Sequence, residues 1–114
     1  MQRVKSNKLF NKTKKMIPGG VNSPVRSFSA VSGSPFIVKK SKGSKIVDID
    51  NNSYIDFIGS WGAMILGHSD KRILKKLSTV SRNGLTYGAP NSAETDIAEF
   101  IINNVPSIEK IRMV

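Results

Sequence analysis

The sequence predicts an α+β segment, an N-terminal helix followed by an antiparallel β-meander, that leads into the start of an α/β domain. Three short stretches in the first half alternate apolar with polar residues and are rich in β-branched and aromatic residues, which is typical of strands. Two stretches with apolar residues at helical spacing follow, and then a further stretch with strand character. We therefore expect residues 1–58 to form one unit and residues 59–114 to begin a larger, incomplete domain.

Capping and turn residues predict the N-terminal elements. Ser6 is expected to cap the first helix, and the Pro-Gly-Gly sequence at 18–20 is expected to end it. Residues 41–44 and the Asn51-Asn52 pair mark the two turns of the meander, because Gly, Ser and Asn favour turns and Asn tolerates positive φ. The three predicted strands are 36–39, 45–50 and 54–58.

The C-terminal half begins with two helices. Ser69 or Asp70 is expected to cap the first of them, and Asn91 with Glu94 has the pattern of a capping box for the second. The strand that follows carries no turn or cap, so we expect it to be the first strand of a second unit that is cut off. The predicted bounds are about 70–82 and 91–105 for the helices and 108–114 for the strand.

The composition excludes several kinds of site and segment. There is no Cys, which excludes a disulfide framework and a thiolate metal site, and the single His argues against an all-protein zinc site. Asp48, Asp50 and Asp56 follow ordinary strand alternation, so we predict no metal site among them. No apolar run approaches the roughly 18 residues of a membrane span, and residues 1–16 lack the apolar region of a signal peptide.

The net charge of +10 is unevenly distributed. Residues 1–47 carry eleven Lys or Arg and no acidic residue, whereas residues 48–114 carry seven basic and eight acidic residues. This asymmetry permits binding to nucleic acid or to an acidic membrane, and a small basic nucleic-acid-binding protein is the alternative from another functional class. No aromatic residues alternate with the lysines as a base-stacking surface requires, so we favour a solvated surface and predict neither partner.

The stretch YIDFIGSWGAMILGH, residues 54–68, organises the chain. It opens as a strand and becomes an apolar, glycine-punctuated segment that holds the only Trp, Trp61, and the only His, His68. Glycines there let the backbone turn and approach another group closely. From these residues alone, Trp61 is either the wall of a pocket or a core residue.

Residues 21–30, VNSPVRSFSA, have no sustained periodicity and predict an ordered loop that holds Arg26. Arg suits a carboxylate better than Lys does, because its planar guanidinium can donate two parallel hydrogen bonds. A lone Arg in a loop is also commonly exposed to solvent, and this stretch by itself does not separate the two interpretations.

Four segments of the chain form a specific combination, in chain order SNKLFNKTKKMIPGGVNSPVRSF (6–28), DIDNNSYIDFIGSWGAMILGH (48–68), YGAP (87–90) and VPSIEKIRMV (105–114). Together they resemble the N-terminal quarter of the glutamate-1-semialdehyde 2,1-aminomutases, which are class-III aminotransferases of fold type I that depend on pyridoxal 5′-phosphate. The resemblance implies that residues 59–114 begin the large cofactor-binding domain of that fold. It also implies that the complete protein isomerises glutamate 1-semialdehyde to 5-aminolevulinate for tetrapyrrole (porphyrin) biosynthesis.

The resemblance also implies site residues and partners. Arg26 would hold the substrate carboxylate, Ser23 and Val25 would line the same pocket, and Trp61 would pack against the substrate. The cofactor would be pyridoxal 5′-phosphate or pyridoxamine 5′-phosphate, and the full-length protein would be a cytoplasmic homodimer. No organelle leader is expected.

The sequence departs from the family pattern in places. Ala63 stands where the family usually has Pro, and residues 69–71 read Ser-Asp-Lys where the family usually has Ala-His-Pro. The family's phosphate-binding segment, the Asp that pairs with the cofactor ring and the Schiff-base Lys all lie beyond the final strand. The resemblance therefore implies no catalytic and no cofactor-binding residue in these 114 residues. We expect the isolated chain to be inactive, as a fragment of this enzyme or of another class-III aminotransferase, or as the product of a broken gene.

Overall fold

A computed structural model describes residues 1–114, which form two compact units, Met1–Lys75 and Lys76–Val114. The helices are α1 (Val4–Thr13), α2 (Lys71–Val80) and α3 (Ser92–Asn104), and the strands are β1 (Val38–Lys42), β2 (Lys45–Asp48) and β3 (Ser53–Ile55). Short 3-10 turns occupy Pro18–Gly20, Pro24–Ser27 and Ser81–Asn83. The helix–meander–helix–helix order is the one that the sequence predicts.

The start of α1 differs from the prediction, because Ser6 lies inside the helix and is fully buried. Its backbone N–H and its hydroxyl both donate to Asp50 Oδ2, at 2.8 and 2.7 Å, and the N–H of Lys5 donates to Asp50 Oδ1 at 2.7 Å. A carboxylate from the meander thus satisfies the free amides that a capping side chain would have taken. Burial acts to raise the pKa of Asp50, but these hydrogen bonds hold it below its ordinary value.

The C-terminal part of α1 packs on the Pro18–Gly20 turn. The helix ends at Thr13, before the predicted stop, and the chain continues through turns to Gly20. Phe10 is only 4% exposed, and a Cβ on Gly20 would lie 2.7 Å from its ring. Gly20 has φ +74°, so both its backbone conformation and its close approach to Phe10 require glycine.

The three strands form an antiparallel sheet in the order β1-β2-β3, as predicted, but their bounds differ. The first turn is tighter than expected, since Lys42 pairs with Lys45 across Gly43 and Ser44, and this extends β1 to Lys42. The strand β2 ends at Asp48, whose Oδ1 accepts the N–H groups of Asp50 and Asn52. The predicted turn at Asn51 is confirmed, with φ +67° there.

The third strand is also shorter than predicted, covering Ser53–Ile55 instead of 54–58. The reason is Asp56, whose carboxylate accepts the N–H groups of Ile58 and Gly59 and turns the chain out of the sheet. The meander has a buried polar contact between β2 and β3, because Asp48 at the end of β2 is fully buried and accepts the Tyr54 hydroxyl at 2.7 Å.

Both C-terminal helices have the predicted caps. Asp70 Oδ1 accepts the N–H of Arg72 at 2.9 Å at the start of α2. The Arg72 guanidinium lowers the pKa of Asp70 to about 2. Asn91 Oδ1 accepts the N–H of Ala93 at 3.0 Å, which confirms Asn91 as the cap of α3. Glu94 accepts the side-chain amide of Asn91 and not its backbone N–H, so the reciprocal capping box does not form.

The predicted strand at 108–114 is wrong for this chain, because no strand forms after α3. A strand exists only when its backbone groups pair with a neighbour, and the three-stranded sheet does not extend to this segment. The apolar faces of the helices are similarly uncovered, with Leu77 of α2 and Phe100 of α3 49% and 64% exposed. None of the helices has the length and apolar content needed to cross a membrane.

Candidate functional site

Arg26 lies in the 3-10 turn Pro24–Ser27, whose backbone is fixed by local hydrogen bonds. The N–H of Arg26 donates to the Ser23 carbonyl at 3.0 Å, and the Ser27 hydroxyl donates to the Pro24 carbonyl at 2.7 Å. Phe28, with φ +60°, ends the turn. The sequence therefore presents Arg26 from a constrained turn and not from a mobile loop.

Aromatic side chains attach this turn to the sheet. The ring of Phe28 meets the ring of Phe36 edge to face, with centroids 6.2 Å apart, and Phe36 stacks on Tyr54 of β3 at 4.6 Å. Such contacts stabilise a particular arrangement of rings as well as burying apolar area. They give the Arg26 turn a fixed position relative to the meander.

The side chain of Arg26 has no partner within the chain. It is exposed and makes no hydrogen bond or ion pair, since the ion pairs of the molecule involve other residues. Val25 beside it is 62% exposed, and Ser23 is half-buried. The guanidinium donors are thus free to bind a carboxylate, and an apolar side chain and a hydroxyl-bearing residue lie next to them in sequence.

Trp61 is 70% exposed, which excludes its interpretation as a core residue of this chain. It belongs to a run of four residues with positive φ: 55° at Gly59, 52° at Ser60, 62° at Trp61 and 95° at Gly62. Glycines adopt this left-handed region readily, whereas each non-glycine residue held there costs about 1–3 kcal/mol. Two costs therefore coincide at Trp61, a strained backbone and a large aromatic side chain exposed to water.

The strained run lies in a loop of residues 57–67, here called the tryptophan loop, and one carboxylate holds both of its ends. Asp56 Oδ1 accepts the N–H groups of Ile58 and Gly59 at 2.9 and 3.1 Å at the loop entrance. Asp56 Oδ2 lies 2.6 Å from His68 Nε2 at the loop exit. The hydrogen bond with His68, followed by those from the backbone, lowers the pKa of Asp56. An ionised carboxylate can only accept hydrogen bonds, so this contact requires the tautomer of His68 that has its N–H at Nε2.

The same loop is anchored to the turn between β1 and β2. The backbones of Gly43 and His68 exchange two hydrogen bonds, of 2.8 and 2.9 Å, and the N–H of Asp56 donates to the Ser44 carbonyl at 2.8 Å. The side chains of Asp56 and His68 are 7% and 15% exposed, so the pair is largely shielded from water. A short charge-assisted hydrogen bond in that setting is stronger than one on the surface.

A cavity of about 340 Å³ lies under the loop. Asp56, Met64, Leu66 and His68 are among the residues that line it, but Trp61 is not. No hydrogen bond, ion pair or ring contact joins the Arg26 turn to the tryptophan loop. The structure thus brings Ser23, Val25 and Arg26 into one turn and places Trp61 on a separate element.

The residues present do not fit pyridoxal 5′-phosphate, the cofactor implied by the resemblance. Every Lys is exposed, whereas a Schiff-base Lys works from a desolvated position. Free amides at a helix N-terminus are a common phosphate site, but at the starts of α2 and α3 the side chains of Asp70 and Asn91 already accept one such amide each, and the Asp70 carboxylate would repel a phosphate. No step through the cofactor is therefore assigned to residues of this chain.

The sequence analysis names Asp56 and His68 but does not predict that the two side chains form a pair. The two residues are 12 positions apart, at opposite ends of a loop. The periodicity of a helix or a strand therefore cannot predict that they meet. The available signals were a lone His directly after Gly67 and an Asp placed where a strand pattern gives way to glycines. Those signals were visible, but only the path of the loop shows that the two side chains meet.

The chain is similar in sequence to known proteins along most of its length. A family model described as aminotransferase class-III matches residues 28–114. A glutamate-1-semialdehyde 2,1-aminomutase 2 from Oceanobacillus iheyensis is 57% identical over 99 residues, which cover 87% of this chain and 23% of that protein. A glutamate-1-semialdehyde 2,1-aminomutase from Acetivibrio thermocellus is 54% identical over 114 residues, which cover 100% of this chain and 27% of that protein.

Solved structures have the same fold over this region. An omega-transaminase from Sphaerobacter thermophilus superposes with a TM-score of 0.80 at 28% identity, covering 92% of this chain and 23% of that one. A transaminase with pyridoxal phosphate bound gives a TM-score of 0.82 at 27% identity, covering 96% of this chain and 25% of that one. The chain spans about a quarter of the length of the curated relatives it matches.

Proposed function

Because this chain belongs to the class-III aminotransferase family, we propose that the protein of which it forms the N-terminal part is an aminomutase that converts glutamate 1-semialdehyde to 5-aminolevulinate. Relatives at 57% and 54% identity bear the name of that activity, which supports the proposal. The structural observation that carries it is the free guanidinium of Arg26 on a fixed turn. In this proposal, residues of this chain bind the substrate, and none of them is catalytic.

Arg26 is proposed to bind the carboxylate of glutamate 1-semialdehyde. The substrate carries one carboxylate at the end distant from its aldehyde, so a clamp on that carboxylate sets the distance from the clamp to the reacting carbons. A planar guanidinium fixes direction as well as position, because it donates two parallel hydrogen bonds. Fixing the unreactive end of a small substrate in this way contributes to catalysis through orientation.

Ser23, Val25 and Trp61 are proposed to form the walls around the substrate. Val25 and Trp61 are exposed in this chain, at 62% and 70%, and provide apolar surface. A site with apolar walls and one charged clamp excludes water from the substrate backbone while the charge sets its orientation. The strained conformation at Trp61 supports this assignment, since such backbone strain concentrates at functional sites.

When bound, the pyridoxal or pyridoxamine cofactor supplies the amino group and the electron sink of the reaction. We propose that the residues holding it lie in the rest of the full-length protein, as the resemblance implies. The role of Arg26 in the reaction is to hold the carboxylate still while the amino group is exchanged between neighbouring carbons.

Further parts of the proposal rest on the family resemblance. We place the full-length protein in the cytoplasm as a homodimer that works in porphyrin biosynthesis, without nucleic-acid or membrane partners. The domain boundary between residues 58 and 59 likewise stays a prediction. It separates the meander from the segment that is proposed to begin the large cofactor-binding domain.

An activity assay on the full-length protein tests the proposal and separates it from the second candidate, another class-III aminotransferase. That candidate is supported by the likeness in fold and sequence to the omega-transaminase. The protein is isolated from its source cells, its intact mass is measured, and it is given glutamate 1-semialdehyde without any second amino-group acceptor. Formation of 5-aminolevulinate supports the aminomutase. Amino-group transfer only when a keto acid is added contradicts it and favours the second candidate.

A further inference from the structure

The conformation of Trp61 is unfavourable on its own and needs support from outside the loop. Ser60 and Trp61 both have positive φ, at a cost of about 1–3 kcal/mol for each such non-glycine residue. The two costs together are a sizeable fraction of the roughly 5–15 kcal/mol by which a domain is stable. The side chain of Trp61 gives little burial in return, being 70% exposed. Contacts elsewhere must therefore hold the loop in this shape.

The contacts inside the loop are backbone hydrogen bonds that follow the strained turn. The N–H of Gly62 donates to the Gly59 carbonyl at 3.1 Å, and the N–H of Met64 donates to the same carbonyl at 2.9 Å. These bonds are local, so they close a turn but do not fix its position on the meander. Each also forms between groups that could bond to water instead, which limits its net contribution to about 1 kcal/mol.

The contacts that do fix the loop converge on Asp56 and His68. Asp56 Oδ1 holds the entrance amides of Ile58 and Gly59, and Asp56 Oδ2 holds His68 Nε2 at 2.6 Å. Losing the His68 side-chain hydrogen bond therefore leaves the loop exit held by its two backbone hydrogen bonds with Gly43. Losing the Asp56 carboxylate removes the side-chain hydrogen bonds at both ends. No other side chain of the chain makes hydrogen bonds to both ends of the tryptophan loop.

We propose that Asp56 and His68 are positioning residues, which together hold the tryptophan loop in its strained shape and so place the indole of Trp61 for the substrate. The inference rests on the proposed function for the part that concerns substrate. The part that concerns loop shape does not need it, because it follows from hydrogen-bond geometry and backbone strain. Neither residue touches the reacting atoms in this assignment.

The test follows Trp61 directly, by ¹⁹F NMR of the full-length protein labelled with 5-fluorotryptophan. The Trp61→Phe variant identifies the resonance of Trp61 among any others. His68→Ala removes the hydrogen bond to Asp56, and His68→Gln keeps an N–H donor close to the position of Nε2. Tyr54→Phe is the matched control, since it removes a 2.7 Å hydrogen bond to the buried carboxylate of Asp48 in the same meander, and the Tyr54 hydroxyl makes no hydrogen bond to Asp56 or His68.

We expect His68→Ala to shift or broaden the Trp61 resonance, His68→Gln to restore it, and Tyr54→Phe to leave it unchanged. Asp56→Asn, which keeps the size of the side chain, should also shift or broaden the Trp61 resonance. It replaces His68→Ala in the test if that variant does not fold. An unchanged Trp61 resonance in His68→Ala and Asp56→Asn overturns the inference. So does an equal change in Tyr54→Phe, because that result means general destabilisation.

Kinetics of the same variants separate this inference from the proposed function. A misplaced wall residue should raise KM for glutamate 1-semialdehyde by about 10- to 100-fold in His68→Ala, with partial rescue in His68→Gln. A shifted Trp61 resonance with unchanged kinetics supports the positioning of the loop and contradicts the substrate role proposed for Trp61. Changed kinetics with an unchanged resonance overturns the positioning of Trp61 by His68.

Discussion

Gly67 lies so close to the backbone of Gly43 that a Cβ on Gly67 would be 2.9 Å from the Gly43 carbonyl oxygen. Backbone atoms cannot rotate away as a side chain can, and Gly67 also has φ +77°. The contact brings the exit of the tryptophan loop against the turn between β1 and β2. The loop exit can therefore approach this turn at hydrogen-bond distance only while position 67 is glycine, whereas a Cβ added at Gly43 would meet no atom within 4 Å.

Gly67→Ala should destabilise the protein and detach the loop exit. Gly62→Ala is the matched control, because Gly62 has φ +95° but no atom within 4 Å of an added Cβ. We expect backbone strain to lower the free energy of unfolding by about 1–2 kcal/mol in both variants. Steric overlap should lower it by about a further 1–3 kcal/mol in Gly67→Ala alone. Equal losses in the free energy of unfolding, measured with urea, would contradict the close contact.

Asp56 should make the stability of the protein depend on pH. Its pKa is lowered in the folded state, first by the hydrogen bond from His68, so its contribution is present above the unfolded-state pKa and is lost as pH falls through the lowered folded-state value. Asp56→Asn should therefore lower the melting temperature at pH 7, and its difference from wild type should shrink as the solution is acidified below about pH 4.

Asp96→Asn provides the reference for that measurement. Asp96 is exposed on α3 and makes no side-chain hydrogen bond or ion pair in the structure. Its melting temperature should follow wild type across the whole pH range. A difference between Asp56→Asn and wild type that persists unchanged at pH 2 would show that ionisation of Asp56 does not strengthen the loop contacts.

The isolated 114-residue chain should not take up pyridoxal 5′-phosphate. Its lysines are all exposed, and Asp70 and Asn91 already cap the N-termini of α2 and α3. Absorption spectra of the purified chain with equimolar pyridoxal 5′-phosphate should equal the sum of the separate spectra. A new visible band that disappears on replacing one Lys would contradict the absence of a cofactor site.

Local features of the fold were predictable from the sequence. Asn51 at a position with positive φ, Asp70 at the start of α2 and Asn91 at the start of α3 each act within four residues of the chain. Their preferences come from side-chain hydrogen bonds to nearby amides, so local sequence suffices to predict them. The prediction that Ser6 caps α1 was wrong, because the first amides of that helix donate to Asp50 instead, and Asp50 is 44 residues away in the sequence.

The remaining features depend on what the chain contacts in space. The segment 108–114 has strand-forming residues, yet a strand also needs a paired neighbour. The strained run at 59–62 was not predicted because Ser60 and Trp61 have no preference for positive φ. The Asp56–His68 pair requires the loop to return to its starting point, which no periodic pattern encodes. Arg26 was identified by its chemistry and by the family resemblance, and its substrate role stays a prediction.

Substrate kinetics of Arg26→Ala in the full-length protein test the central claim most directly. Arg82→Ala is the control, as Arg82 is also an exposed guanidinium in a 3-10 turn. We expect KM for glutamate 1-semialdehyde to rise about 10- to 100-fold in Arg26→Ala, as for loss of a hydrogen bond to a charged group. The melting temperature should not change, because the side chain has no partner in the fold. Equal KM values for Arg26→Ala, Arg82→Ala and wild type would contradict the assignment of Arg26 as the carboxylate clamp.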